Sequence, residues 1–244
     1  MKTIAIIIPT YNEKNNILKL IHELTSAFVD TDYKIHVLVI DDNSPDGTAD
    51  IVRNISKNDF SVFLISRKEK LGLGSAYLEG YKWCIKNNFQ YILQMDADLS
   101  HPPSTAPTLV LSIENGYDVA IASRYVEHGG VSSWPLHRRF MSFCANFLVK
   151  NFLRTNINDN TTGFRAFNNK TIKLLVEYDI HSKGFSYLIE SMYLFHLKNL
   201  RIQEIPFIFQ ERNKGKTKLS YFEIIRFLLS IFRILFTGLK KHNK

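Results

Sequence analysis

The stretch QMDADLSHPP, residues 94–103, is the most informative part of this 244-residue chain for predicting its fold. It follows Tyr91-Ile92-Leu93, an apolar run typical of a buried strand, and it ends at a proline pair. Residues two apart on an extended chain point to the same side, so we expect Asp96 and Asp98 to emerge together at the strand's carboxyl end. Two carboxylates in that position suit a hard divalent cation that also holds phosphate oxygens. They are equally compatible with a polar strand end whose acids only meet water.

Apolar runs and amphipathic helical patterns alternate on both sides of this strand. The other runs are residues 3–8, 35–40, 61–65 and 118–123. This alternation predicts an α/β fold with a mostly parallel sheet flanked by helices. Polar clusters follow the strands at residues 9–13, 41–46, 96–98 and 124. Ligands of open α/β sheets bind outside the carboxyl ends of the strands, so the clusters predict one binding site at that edge.

The glycines that follow the 61–65 run do not make a dinucleotide fingerprint. Gly72 and Gly74 begin such a pattern, but Tyr77 stands where its third glycine would fall, and no Walker lysine follows. We interpret this segment as a flexible connection that packs a helix closely.

The charge of the chain is concentrated in its last part. Residues 212–244 hold nine Lys and Arg and one acid, so they carry the whole net charge of +8. We therefore divide the chain into a domain of residues 1–211 and a basic segment of residues 212–244, which indicates an anionic partner: a membrane surface, phosphate or nucleic acid. The two cysteines lack metal-ligand spacing, and the first residues pass directly into a strand, so we expect no signal peptide.

Residues 219–239 form a strongly apolar helical pattern with one polar stripe. The polar residues recur three or four apart: Ser220, Glu223, Arg226, Ser230, Arg233, Thr237 and Lys240. In a membrane-spanning helix each of the two arginines would cost about 2.5–3.5 kcal/mol near the centre. An amphipathic helix lying flat at the interface keeps the stripe in water, and this is the arrangement we expect. The alternatives are docking to a hydrophobic partner, packing on the domain's own core, and spanning.

Several motifs together resemble one known family. They are Pro9-Thr10-Tyr11-Asn12-Glu13, the run 41–48 (DDNSPDGT), the run 96–102 (DADLSHP), Ser123-Arg124-Tyr125, Trp134-Pro135, Arg138-Arg139 and the run 212–218 (RNKGKTK). This set is similar to the dolichol-phosphate (polyprenol-phosphate) mannose synthases of glycosyltransferase family 2, which have the GT-A fold. The similarity runs from residue 3 to about residue 235.

The resemblance implies a nucleotide-sugar donor, GDP-mannose, and a dolichyl or polyprenyl phosphate acceptor. The positions matching those that hold the nucleobase and ribose are Pro9, Tyr11, Glu13, Ile40 and Asp42. The positions matching the donor-phosphate region are Asp96 and Ala97. Asp98 matches the principal ligand of Mg²⁺ or Mn²⁺, and Ser100 a secondary ligand.

The resemblance also assigns the basic residues. Arg124, Arg212 and Lys218 match residues that bind the phosphates of donor or acceptor, and Arg138 matches the one that holds the lipid phosphate. Asp98, Arg124 and Arg138 are therefore the expected catalytic residues. Thr217 departs from the family pattern, which has serine there, but keeps the hydroxyl. The implied location is the cytoplasmic face of a membrane (the endoplasmic reticulum in a eukaryote), reached by an amphipathic helix or through small membrane-protein subunits.

The reaction implied by the resemblance inverts the sugar carbon and needs no general base, because the acceptor phosphate is already an anion. Catalysis then rests on positioning and electrostatics. We accordingly interpret His101 and His137 as structural. The basic loop 212–218 either closes over the phosphates or remains a solvated loop that attracts the membrane.

Two other functions compete with this one. A UDP donor and a glucose-type sugar would serve a bacterial polyprenyl phosphate equally well. A non-catalytic scaffold with a nucleic-acid-binding tail would bind RNA or DNA tightly and with strong salt dependence. The apolar residues of the tail and the acidic strand end do not suit that role, so we expect no nucleic-acid partner.

Overall fold

The computed structural model describes residues 2–178, 180, 184, 186–210 and 221–239, without the side chains of 221–226 and 237. Within these ranges the strands are β1 (Lys2–Thr10), β2 (Tyr33–Asp41), β3 (Val62–Ser66), β4 (Tyr91–Gln94), β5 (Val119–Ser123), β6 (Gly130–Val131), β7 (Arg165–Asn168), β8 (Ile202–Pro206) and β9 (Ile208–Phe209). The α-helices are α1 (Ile17–Ala27), α2 (Thr48–Asn58), α3 (Leu73–Lys86), α4 (Ala106–Glu114), α5 (Leu136–Phe152), α6 (Asn169–Glu177), α7 (Ser186–Leu197) and α8 (Tyr221–Thr237).

Seven strands form the main sheet in the order β3-β2-β1-β4-β7-β5-β8. The first four of these run parallel, β7 is antiparallel to β4 and β5, and β8 is parallel to β5. The predicted mostly parallel sheet is confirmed. Strands β6 and β9 pair in a small second sheet.

The core lies on both sides of the sheet, which explains the continuous apolar run of β1. Ile4, Ile6 and Ile8 join the cluster that includes Leu20 of α1, and Ile7 joins the opposite cluster that includes Tyr77 of α3. Successive residues of a strand point to opposite faces, so a strand covered on both faces needs apolar residues at every position.

Strand β7 lies near the middle of the sheet, where the sequence had suggested only a polar loop and a helix. Its first residue, Arg165, pairs with Gln94 of β4, and both side chains are fully buried. Gln94 Nε2 donates to the carbonyl of Gly163 over 3.0 Å, and Arg165 donates to Ser191 Oγ over 2.7 Å. Buried polar residues such as these interrupt the hydrophobic pattern by which a central strand is recognised.

Helix α8 packs on the domain with the polar side of its surface, contrary to the expected orientation. Ile231 and Ile234 pack with residues of α5 and α7, and Ser230 is only 5% exposed. Arg233 forms an ion pair with Glu190 of α7, which is fully buried. The prediction that the polar stripe faces water is therefore wrong at residue 230, and at residue 233 the side chain is only one third exposed because the buried carboxylate of Glu190 requires a charged partner.

The exposed side of α8 is apolar, and α5 also has an exposed apolar side. The exposed side chains of α8 are Leu228, Leu229, Phe232, Leu235 and Phe236. Those of α5 include Leu136, Phe140, Phe143 and Phe147, spaced three or four apart. In the part of the chain that the structure describes, no helix has the length and apolarity that a membrane crossing requires. The predicted boundary at residue 211 lies outside the described residues.

Candidate active site

The loops after β1 and β2 are tied together, as the two polar clusters predicted. Pro9 and Ile40 are opposite each other in the register of the two strands. The backbone N–H groups of the first loop donate to side chains of the second: Asn12 to Ser44 over 2.9 Å, Glu13 to Thr48 over 3.0 Å and Lys14 to Asp46 over 3.0 Å. Tyr11 and Glu13 are thereby fixed beside the 41–48 loop.

Asp42 is held by a residue that the sequence did not single out, Arg67 at the end of β3. Arg67 donates to Asp42 Oδ1 over 2.6 Å and to Glu79 over 2.8 Å, and the backbone N–H of Gly72 donates to Asp42 Oδ2 over 2.9 Å. Asp42 and Arg67 are both buried. The 67–72 segment is therefore tied to the site. The flexible connection predicted around Gly72 and Gly74 is not found at Gly74, which lies inside helix α3. The basic run 67–70 directly after a strand was the available signal.

Asp98 and Ser100 form a tight turn after β4. The strand ends at Gln94, and Leu99 has a φ of 63°, so the two aspartates are not on an extended chain as expected. This turn lets both the backbone N–H and the hydroxyl of Ser100 donate to Asp98 Oδ1, over 3.0 and 2.5 Å. A left-handed conformation at a residue with a large side chain is strained, and such strain is concentrated at functional sites.

Asp96 lies against the protein interior, next to Gly163. A Cβ at Gly163 would lie 3.3 Å from Asp96 Oδ1, so glycine allows the close approach. Burial, and then the charge of Asp96, raise the pKa of the Tyr77 hydroxyl well above its ordinary value. Asp96 is therefore partly exposed beside Gly163, whereas Asp98 is buried in the turn that follows.

His101 is structural, as predicted. Its Nδ1 accepts a hydrogen bond from the backbone N–H of Asp96 over 3.2 Å, and its ring stacks on Phe164 with the centroids 5.1 Å apart. Burial lowers the pKa of His101, which favours the neutral ring that this hydrogen bond requires. His101 thus fixes the backbone at Asp96.

Arg124 is held by Asp159, a second residue that the sequence did not assign. The guanidinium donates through Nε and Nη2 to both carboxylate oxygens, each over 2.7 Å, and through Nη2 to Thr161 over 2.7 Å. Burial alone would raise the pKa of Asp159, but the charge of Arg124 and the hydrogen bonds from Arg124 and Thr161 together outweigh it, and the pKa is lowered. The signal in the sequence was an acid inside the polar run 158–162.

Trp134 brings two of the predicted catalytic residues together. The guanidinium carbon of Arg138 lies 4.0 Å from the indole centroid, and that of Arg124 lies 5.5 Å from it. Trp134 is buried and also contacts Phe209 edge-on, with centroids 5.0 Å apart. Two guanidinium groups, a type of group suited to phosphate, therefore lie on one indole, and the charge of Arg124 is balanced by Asp159.

Glu204 of β8 fixes the loop that carries Asp159. Its carboxylate accepts hydrogen bonds from the backbone N–H groups of Asn158 and Asp159 over 3.0 and 3.1 Å, and from Ser123 Oγ over 2.7 Å. Arg212 and Lys218, the other predicted phosphate-binding residues, lie outside the described residues.

The oxygen ligands offered by Asp98 and Ser100 are of the type that Mg²⁺ and Mn²⁺ prefer. No group of three or more His, Cys, Asp and Glu positioned for a metal ion occurs among the described residues. A cation bound here would therefore depend on further oxygens from a substrate, as is common for Mg²⁺ with phosphates.

Comparison with solved structures supports the GT-A-like architecture. Glucosyl-3-phosphoglycerate synthase from Mycobacterium tuberculosis, solved with Mn²⁺, UDP and glucosyl-3-phosphoglycerate, superimposes with a TM-score of 0.67 at 18% identity, covering 100% of this chain and 87% of that one. Mannosyl-3-phosphoglycerate synthase from Rubrobacter xylanophilus gives 0.67 at 16% identity, covering 96% and 73%. At such identities the likeness concerns the fold.

Sequence comparison gives closer relatives. The polyprenol monophosphomannose synthase of Mycolicibacterium smegmatis is 34% identical over 88% of this chain and 80% of that protein. The undecaprenyl-phosphate mannosyltransferase of Micrococcus luteus is 35% identical over 88% and 86%. The dolichol-phosphate mannosyltransferase of Pyrococcus furiosus is 35% identical over 95% of this chain but 63% of its own length. The family model described as "Glycosyl transferase family 2" matches residues 5–175, and the chain belongs to that family.

Proposed function

We propose that this enzyme transfers mannose from GDP-mannose to a dolichyl or polyprenyl phosphate, with inversion at the sugar C1 and with Mg²⁺ or Mn²⁺. The observation that carries the proposal is the pair of guanidinium groups, Arg124 and Arg138, on the indole of Trp134. A guanidinium group can bind two oxygens of one phosphate at the same time. Two guanidinium groups therefore suit an acceptor whose reacting group is a phosphate. The names of the three relatives support the same sugar and acceptor class.

The proposed reaction agrees with the environment of His101, which lies close to Asp96 and Asp98 in the sequence. A hydroxyl acceptor requires a base, and a neutral histidine is the most common one. His101 already accepts from Asp96 N–H through Nδ1 and is enclosed by Phe164, Phe207 and Phe209. A phosphate acceptor needs no such base, because its oxygen is already anionic.

Asp98, with Ser100 beside it, would hold the metal ion. Bound there, Mg²⁺ or Mn²⁺ would neutralise charge on the departing nucleoside diphosphate. The protein's own contribution is positional: His101 fixes the turn at Asp96, and Asp159 fixes the guanidinium of Arg124. Donors held in place before the reaction stabilise developing negative charge without reorganisation.

We also propose that the exposed apolar sides of α5 and α8 lie on an anionic membrane surface, where the lipid acceptor resides. Phe236 is 83% exposed and Phe140 is 68% exposed, and each belongs to a row of exposed apolar residues on its helix, the kind of patch that marks an interaction site. The +8 charge of residues 212–244 favours anionic lipid.

The direct test measures transfer of labelled sugar to a short polyprenyl phosphate, with GDP-mannose and UDP-glucose as alternative donors and with or without Mn²⁺. We expect transfer from GDP-mannose only, dependent on the metal and lost in Asp98→Asn. Asp118→Asn, which changes an acid at the opposite edge of the sheet, is the matched control and should remain active. Full activity of Asp98→Asn with both substrates saturating would exclude the assigned role, and transfer from UDP-glucose would favour the alternative donor.

The membrane proposal is tested by co-sedimentation with anionic vesicles. Replacing Phe232 and Phe236 by serine should weaken vesicle binding. The control, Phe60→Ser, removes an exposed ring between α2 and β3 and should leave vesicle binding unchanged. Equal binding of all variants would contradict the proposed contact surface.

A further inference from the structure

The loop after β3, residues 67–72, forms the outer wall of the same site. The strand order places β3, β2 and β1 side by side, with β4 and its aspartates beyond β1. Neighbouring strands are about 4.8 Å apart, so β3 lies roughly 14 Å from β4. With the donor diphosphate at Asp98, as the proposed function requires, a group on the β3 loop would lie toward the donor's nucleoside.

This loop is fixed in place before any ligand binds. The backbone N–H of Arg67 donates to the carbonyl of Asp41 over 2.9 Å, and Asn43 Nδ2 donates to the carbonyl of Lys68 over 3.1 Å. Gly72, with a φ of 92°, closes the loop by donating to Asp42. The 67–72 loop is thus connected at both ends to the residues that follow β2.

Lys70 projects from this loop over the ring of Tyr11. Its Nζ lies 3.8 Å from the ring centroid, at the distance of a cation–π contact. The side chain is exposed, so this contact does not serve to fill the core. It places one ammonium group beside Tyr11, on the loop that is connected to Asp42 through Gly72.

We propose that Lys70 is a specificity-determining residue that recognises the purine base of the donor; this inference rests on the proposed function. Guanine offers two adjacent acceptors, O6 and N7, to which a lysine ammonium donates well, and it has N–H donors on the neighbouring edge for a carboxylate. Uracil has no atom equivalent to N7, and it has one ring where guanine has two. An ammonium on the outer wall therefore contributes to binding of a purine nucleotide and little to binding of a pyrimidine nucleotide.

The test is calorimetric titration of GDP and UDP, with Mn²⁺ present, into the wild type and three variants. Lys70→Met should weaken GDP binding by about tenfold, the loss expected for one hydrogen bond from a charged group, and change UDP binding less than twofold. Lys68→Met removes the same charge from the same loop and should leave both affinities unchanged. Lys70→Arg keeps the charge and should recover most of the GDP affinity. Thermal unfolding of each variant checks that the fold is intact.

The outcomes separate the two proposals. An unchanged GDP affinity in Lys70→Met, an equal loss for GDP and UDP, or an equal effect of Lys68→Met would each overturn the inference about Lys70. A wild type that binds UDP more tightly than GDP would contradict the proposed donor, whatever Lys70→Met does. A selective loss of GDP affinity in that variant would still support the role of Lys70.

Discussion

The ion pair between Arg124 and Asp159 gives the sharpest test of the site, through the substitution Asp159→Asn. Asp159 is fully buried and accepts two 2.7 Å hydrogen bonds from the guanidinium, in addition to one from the backbone N–H of Arg124. Asparagine has nearly the same shape but carries no charge, and only one of its two terminal groups accepts. The variant thus leaves a buried guanidinium without its counter-charge.

The magnitude follows from this geometry. Removing one partner of a buried pair costs about 3–5 kcal/mol, and since asparagine retains one acceptor we expect about 3 kcal/mol. For a chain of this length that corresponds to a fall in Tm of about 6–12 °C. Loss of the fixed position of Arg124 should lower kcat/KM for mannosyl transfer by about a hundredfold, as for other preorganised donors.

The assay combines thermal unfolding with transfer kinetics at a temperature where the variant is fully folded. Glu204→Gln is the matched control: Glu204 holds the same loop through Asn158 and Asp159 N–H groups, and no hydrogen bond to Arg124 involves it among the described contacts. It should lower Tm with a much smaller loss of activity. An Asp159→Asn enzyme within twofold of the wild type would refute the positional role of the pair.

Three further predictions concern other parts of the site. Arg67→Met leaves Asp42 buried with the Gly72 N–H but without its counter-charge, and we expect a loss of about 3 kcal/mol in unfolding free energy together with weaker GDP binding by calorimetry. Gly163→Ala places a methyl group 3.3 Å from Asp96 Oδ1, so donor affinity should fall severalfold while the melting temperature changes little. Since the pKa of Asp159 is lowered by folding, its contribution to stability is complete above the unfolded value of about 3.9 and is lost as the pH falls through the folded value. The stability difference between wild type and Asp159→Asn, followed by denaturant unfolding, should therefore shrink only below about pH 4; a difference that shrinks between pH 7 and 5 would contradict this.

The strand ends could be predicted from the sequence because each is marked locally. Strands β1, β2 and β4 are apolar runs followed at once by polar residues, so the positions of Tyr11, Asp42 and Asp98 at one edge followed from the parallel sheet. The turn at Leu99 could not be predicted, because a left-handed φ at leucine has no local signature.

The partners of the site residues were not predictable in the same way. Asp159 is 35 residues from Arg124, and Arg67 is 25 residues from Asp42, so neither pairing has a short-range pattern. The orientation of α8 depended on Glu190, whose buried carboxylate on α7 attracts Arg233. From the sequence alone, a polar stripe on an apolar helix is equally compatible with a face exposed to water and with a face packed against a buried charge.

The most direct test of the central claim compares two acceptors that differ only in the reacting group: a polyprenyl phosphate and the free polyprenol of the same chain length. With GDP-mannose and Mn²⁺, we expect mannosyl transfer to the phosphate and none to the alcohol, because Arg124 and Arg138 are proposed to bind a phosphate and His101 already accepts a hydrogen bond from Asp96. Transfer to the alcohol, or no transfer to either acceptor by the folded enzyme, would contradict it.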